Sequence, residues 1–154
     1  MSKTKALGLF IIALQLGTLA VLGLSLYTLF NVLSTAISAE TFSMKLNIDE
    51  RTGDWVFTLD ANPKNTGVLD VRLSFRIAVV DLNGQLIAEN SKSVYIEPGG
   101  ASPFSLSIVV PAEIAQTQEL QENKGAMEVT FSVRTLGDLV GFTNVLKIEG
   151  EGGT

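Results

Sequence analysis

The stretch "LDVRLSFRIAVVD", residues 69–81, reads as a β-strand with two unlike faces. Leu69, Val71, Leu73, Phe75, Ile77 and Val79 share one side, while Asp70, Arg72, Ser74 and Arg76 share the other. Strict alternation at period two is the pattern of a half-buried strand. A slip of one residue would bury both arginines, so the register is tightly specified.

The same rhythm extends in both directions. "FSMKLNID" sets Phe42, Met44, Leu46 and Ile48 on one face, and "DWVFTLDA" sets Trp55, Phe57, Leu59 and Ala61 inward. Further along, Phe104, Leu106, Ile108 and Val110 alternate with Ser105 and Ser107. "MEVTFSVRT" offers Met127, Val129, Phe131 and Val133, and "GFTNVLKIEG" supplies a last strand. Asn83-Gly84 reads as a tight hairpin turn because both residues tolerate positive φ. The return segment "QLIAENSKSVYI" is expected to break near Asn90, and "EPGGAS" (97–102) is a turn. Seven strands joined by short turns predict an antiparallel, immunoglobulin-like β-sandwich. One segment departs from the pattern. "PAEIAQTQELQENKG" (111–125) opens on Pro111 and Glu113 and closes on Lys124-Gly125, the start and stop signals of a short helix.

The connection "LDANPKNTGVLDV" (59–71) interrupts two strong strands. Pro63 lacks an N–H and forces Asn62 towards an extended backbone, so the pair suits a strand exit. Asn65-Thr66-Gly67 then turns the chain. The Asn62 side chain is expected to hydrogen-bond the exposed backbone of that turn.

Ahead of the strands, residues 6–39 form 34 consecutive uncharged positions. A bilayer core needs about 20 helical residues, so this run exceeds a single crossing. A cleaved secretory signal carries an apolar stretch of about 7–15 residues, less than half of what is present, which favours an uncleaved anchor. Lys3 and Lys5 precede the run and Glu40 follows it, so the positive-inside rule puts the N-terminus in the cytoplasm and the remainder outside. The expected division is a cytoplasmic tip and hydrophobic helix over 1–39 and an extracytoplasmic sandwich over 40–154.

Charge and residue types narrow the chemistry. Residues 40–154 hold nine basic and sixteen acidic residues, a net −7. That disfavours nucleic acid and close adhesion to anionic lipid. There is no Cys and no His, so disulfides, thiolate or imidazole metal sites and the usual nucleophile–base pairs are absent. Two oxygen-rich stretches, Asp81 to Gly84 and Asp49, Glu50 and Asp54, read as turns; Lys92 stands where a calcium loop needs its closing acid. No catalytic, cofactor-binding or metal-ligating residue is expected, and no cofactor.

The hydrophobic helix holds a more informative pattern. Thr18 and Ser25, Thr28 and Thr35, and Asn31 and Ser38 are each seven apart, and Ala13 and Gly17 form a small-xxx-small pair. Such spacing keeps one seam towards a partner helix. The alternative is that these hydroxyls bond carbonyls of their own helix. The expected partners are therefore membrane lipid or neighbouring hydrophobic helices, through self-association or a membrane protein.

The segment "FTLDANPKNTGVLDVRLSFRIAVVDLNGQLIAENSKSVYIEPGGASPFSLSIVVP" resembles the late-embryogenesis-abundant type-2 family, also called the water-stress and hypersensitive-response domain. The likeness rests on Asn62-Pro63 closing a strand, the long strand 69–80, the hairpin from Asn83-Gly84 to Ala88, and Ile96 to Ser102 before Phe104. It covers roughly residues 42–149. It implies a seven-stranded sandwich with one helix before the last strands, a non-catalytic role and an N-terminal membrane span; Asn62 and Pro63 would shape a turn. The chain also looks like archaeal type IV pilins and archaellins, which place a long hydrophobic helix before a β-domain. Lys5-Ala6 then Leu7-Gly8 is a loose match to their processing site. Two functions are thus in play: a membrane-anchored surface module, or a subunit of a surface filament or membrane assembly.

The strand faces are directly testable. Phe75→Asp should abolish folding by burying an unpartnered carboxylate at a cost of several kcal/mol, whereas Arg72→Leu should shift stability by at most about 1 kcal/mol. Equal urea midpoints for the two variants would mean the faces are assigned the wrong way round.

Overall fold

A computed structural model describes residues 3–36, 38, 41–81, 84–115 and 126–149. A single helix, α1 (Lys3–Ala36), leads into seven antiparallel strands. These are β1 (Phe42–Ile48), β2 (Trp55–Ala61), β3 (Val71–Val80), β4 (Leu86–Ile96), β5 (Phe104–Val110), β6 (Ala126–Thr135) and β7 (Val140–Glu149). They form two sheets, β1-β2-β5 and β4-β3-β6-β7, packed as a sandwich behind the long helix. The fold is mainly β, as the alternation demands.

The strand order has a physical reason. In immunoglobulin constant domains the fourth strand joins the sheet of the first two. Here β4 stays paired along its length with β3, from Val71 opposite Ile96 to Val80 opposite Leu86. A bulge between Val79 and Val80 absorbs the irregularity. The break expected near Asn90 is absent: Asn90 sits in the ladder opposite Ile77. Its amide instead reaches across to the Ser107 carbonyl at 2.7 Å, and Lys92 Nζ reaches the Ser105 carbonyl at 3.3 Å. These two side chains satisfy carbonyls on the unpaired edge of β5 and close that side of the sandwich.

The decisive strand behaves as its sequence requires. Val71, Leu73, Phe75, Ile77 and Val79 are buried, and Arg72 and Arg76 are exposed. Leu59, Phe104, Leu106 and Ile108 face them from the other sheet, with Phe75 and Phe104 ring centroids 5.0 Å apart. Arg76 pairs with Glu89 and Arg72 with Asp138 on the outside. The edge strand β1 departs from expectation. Phe42 and Met44 are half-buried, but Leu46 and Ile48, at the far end of this edge strand, remain exposed.

The helix expected over 111–125 begins as α2 (Ala112–Ala115); residues 116–125 lie outside the described residues. Asp54 Oδ1 accepts the Ala112 N–H at 2.8 Å, tying the helix start to the turn before β2. At the β3–β4 hairpin, Gly84 has φ +76° and donates to the Asp81 carbonyl at 3.1 Å. Asn83 lies outside the described residues.

The crossing at 62–69 is organised by a residue other than the one expected. The Asn62 side chain is exposed, and its backbone N–H is engaged by the Thr41 carbonyl at 2.9 Å. The fully buried Asn65 does the work instead. Its amide donates to the carbonyls of Leu69 at 2.8 Å and Ile96 at 3.0 Å, and its Oδ1 accepts the Gly67 N–H at 3.0 Å. Its backbone clasps the 97–102 turn through Gly100 at 2.9 Å and Gly99 at 2.7 Å. Pro63 is buried beneath, its carbonyl accepting from Ser102 at 3.2 Å. An amide has the right mixture of donors and acceptor to satisfy three backbone groups at once.

Asn65→Ala strands those three groups without water. It should lower stability by about 3 kcal/mol or more, while Asn62→Ala should change it by less than about 0.5 kcal/mol. Urea unfolding of both variants in detergent checks the contrast, and a smaller loss for Asn65→Ala than for Asn62→Ala would refute the assignment.

Candidate functional site

The long helix divides into two stretches with different surroundings. Over residues 7–24 every side chain is exposed. From Ser25 onward one face docks on an end of the sandwich: Ser25, Thr28, Leu29, Val32 and Ala36 are buried, and Leu29, Val32 and Ala36 belong to the same core as β2, β3, β5 and β6. The hydrophobic core therefore crosses residue 39, the division suggested by hydropathy alone.

Polar contacts fix the docking. Thr28 Oγ1 accepts the Val68 N–H at 3.2 Å. Thr35 Oγ1 donates to the Lys64 carbonyl at 2.8 Å and accepts the Lys64 N–H at 3.3 Å. Gly67 supplies the clearance. A Cβ placed there would lie 2.5 Å from Thr28 Cγ2 and Oγ1 and 2.7 Å from its Cβ. The loop 62–69 thus does more than turn the chain; it is the seat of the helix.

The seam residues fall on both sides of this division. Ala13, Gly17 and Thr18 are exposed, and Thr18 donates to the Leu14 carbonyl at 2.9 Å. Ser25 donates to the Val21 carbonyl at 2.7 Å and Asn31 to the Tyr27 carbonyl at 2.9 Å. Ser38 lies beyond the helix and bonds Thr41 Oγ1 at 2.8 Å. Thr28 and Thr35 therefore face the chain's own sandwich, and the hydroxyls of Thr18 and Ser25 bond within the helix. On the opposite side of the docked stretch, Leu26, Tyr27 and Phe30 point outward, Phe30 with 71% of its surface exposed.

Two further features sit at this end of the molecule. A groove of about 500 Å³ runs between the helix and the β6–β7 turn, lined by Leu14, Gly17, Thr18, Val21, Leu22, Leu136, Leu139 and Val140. The turn is wound through three left-handed residues, Leu136 (φ 53°), Gly137 (φ 61°) and Asp138 (φ 73°), a conformation that L side chains adopt at a cost. Beside it lies a smaller polar cleft of about 130 Å³ bordered by Asp70, Arg72, Tyr95, Arg134 and Asp138. The Tyr95 hydroxyl donates to Asp70 Oδ2 at 2.6 Å, and that bond to a carboxylate raises the phenol above its ordinary pKa of 10.

Sequence reasoning took Asn65 and Gly67 only as turn residues and overlooked Leu136 and Leu139. Gly67 within Asn-Thr-Gly was visible as a turn residue, but its reason is a helix 39 positions earlier. Leu139, an apolar residue in a four-residue turn, was the signal for the groove.

The sequence matches no family model and no curated protein. Among solved structures, it is similar to a calcium-binding mutant of Bacteroides uniformis beta-glucuronidase 2, at 12% identity over 71% of this chain and 13% of that one, with TM-score 0.49. A glycosyl hydrolase family 2 member from Bacteroides cellulosilyticus gives 14% identity, 71% and 14% coverage and TM-score 0.45. A protein from Archaeoglobus fulgidus gives 12% identity, 74% and 98% coverage and TM-score 0.40. The chain spans only about an eighth of the length of those glycosidases, and likenesses this distant carry no functional weight.

Gly67→Ala should force loop and helix apart and lower stability by about 1–3 kcal/mol. Trimming the neighbour in Gly67→Ala/Thr28→Ala should return part of that loss, a coupling readable by a double-mutant cycle of urea midpoints. Strict additivity of the two substitutions would show that the close approach is unimportant.

Proposed function

We propose that this protein is a non-catalytic, membrane-anchored surface module. Its N-terminal helix crosses the bilayer from a cytoplasmic tip, and its sandwich stands immediately outside as a structural or binding domain. The observation that carries this reading is the unbroken exposure of residues 7–24 on a helix that, over Leu7–Ala36, is long and apolar enough to cross a membrane. Eighteen consecutive uncharged positions, nearly all apolar or small, left bare would aggregate in water, and lipid is the solvent that suits them. The cytoplasmic assignment of the N-terminus rests on Lys3 and Lys5 before the run and Glu40 after it.

The docking gives the anchor a mechanical consequence. A sandwich that shares its core with the end of the helix cannot swing on a linker; the membrane sets its orientation. That suits a module presenting one fixed face to a neighbour. It requires no catalytic group, in keeping with a chain that has neither His nor Cys.

One observation favours a second reading, a filament or assembly subunit whose helices bundle. Leu26, Tyr27 and Phe30 stay exposed beside the sandwich itself, and Ala13 and Gly17 are bare further along. A neighbouring copy's helix would cover both.

Expressed at full length in a bacterial host, the chain should remain in the membrane fraction after an alkaline carbonate wash, with the mass of an unprocessed N-terminus. Release by the wash would defeat the anchor. Loss of about six N-terminal residues, together with surface fibres in electron micrographs, would establish the filament reading in its place.

A further inference from the structure

The β6–β7 turn lies beside the wrong part of the helix for a domain held wholly in water. Leu136, Leu139 and Val140 share a groove with Leu14, Gly17, Thr18, Val21 and Leu22. A bilayer ending short of that groove would hold only residues 7–13 of the apolar span, about 10 Å at 1.5 Å per residue. The hydrocarbon core is about 30 Å thick. Counted from Leu7, where the apolar span begins, that length takes about 20 residues and ends near residue 26, past Leu22, the last helix residue of the groove. Any bilayer that accommodates the helix therefore reaches the turn.

The turn is built for such a place. Leu139 has 86% of its surface exposed, the highest value among the exposed large hydrophobics of the described residues. Between residues 136 and 142 the one charged side chain is Asp138, and Arg72 Nη1 neutralises it at 2.6 Å. The left-handed backbone at Leu136 and Asp138 is the strained element that projects Leu139 outward. Polarity returns directly behind: Arg72, Arg134, Asp70 and the exposed Tyr95 rim the adjoining cleft, the arrangement found where a protein leaves the acyl region for the headgroups.

We infer that residues 136–139 form a lipid-dipping wedge, which enters the outer interfacial zone of the bilayer alongside the anchor helix with Leu139 as its tip. The inference rests on the anchor reading given above. Backbone groups in a turn cannot all be satisfied in hydrocarbon, so the wedge stays shallow, about 5–10 Å into the headgroup–acyl boundary. Recognition is by apolar burial, so a zwitterionic surface suffices and anionic lipid is not required. The wedge gives the sandwich a second attachment point and fixes its rotation about the helix axis.

The absence of cysteine makes site-directed spin labelling direct. Nitroxides would be placed singly at Leu139→Cys, Leu19→Cys and Thr52→Cys in the full chain, reconstituted into phosphatidylcholine vesicles. Collision with oxygen, which concentrates in lipid, would be compared with collision with a water-soluble nickel chelate. The expected result is oxygen preference at 19 and 139, severalfold over the chelate, and chelate preference at 52. Chelate preference at 139 with oxygen preference at 19 would overturn the wedge and leave the anchor standing. Chelate preference at 19 would overturn both. Shielding of 19 and 139 from both reagents, with spin–spin broadening, would show that a second copy fills the groove, and would equally refute a lipid wedge.

Discussion

Gly67 lies so close to Thr28 that no side chain fits between them, and much of the architecture depends on that approach. With the loop pressed against the helix, the Val68 N–H finds Thr28 Oγ1, and Thr35 bonds both backbone groups of Lys64. The apolar side chains beneath, Leu29, Val32 and Ala36, then enter the sandwich core. Burying them contributes on the order of 1–3 kcal/mol for each larger side chain. Helix and sandwich become one body through contacts that are individually ordinary.

Asn65 makes this seat possible. The loop carries backbone polar groups into a place that water does not reach, and a buried N–H or carbonyl left alone is costly. One fully buried amide satisfies Leu69, Ile96 and Gly67 while its own backbone holds Gly99 and Gly100. The conformation of the 97–102 turn, the start of β3 and the helix seat are therefore linked through a single side chain.

The junction between helix and sandwich is made by apolar packing and backbone hydrogen bonds, with no ion pair among the described residues holding it, and it begins where the helix stops being bare. Thr18, Ser25, Thr28 and Thr35 look alike in sequence, yet they serve different ends. Thr18 and Ser25 return their hydroxyls to the helix, while Thr28 and Thr35 spend theirs on the loop. The seven-residue spacing reflects a face of the helix in both cases, and for the C-terminal half that face meets this chain's own sandwich.

The strands, the inward faces of the central ones and the length of the apolar helix were legible in the sequence, because they are written as local periodicities of two residues and as hydropathy; the exposed end of β1 was not. Val71 to Val79 could be read correctly from thirteen letters. The pairing of β3 with β6, the seat under Thr28, the choice of Asn65 over Asn62 and the approach of Leu139 to the helix were not legible. Each joins residues far apart in the chain, and which of two similar polar side chains is buried is decided by the space left between elements, a quantity that exists only once they have packed.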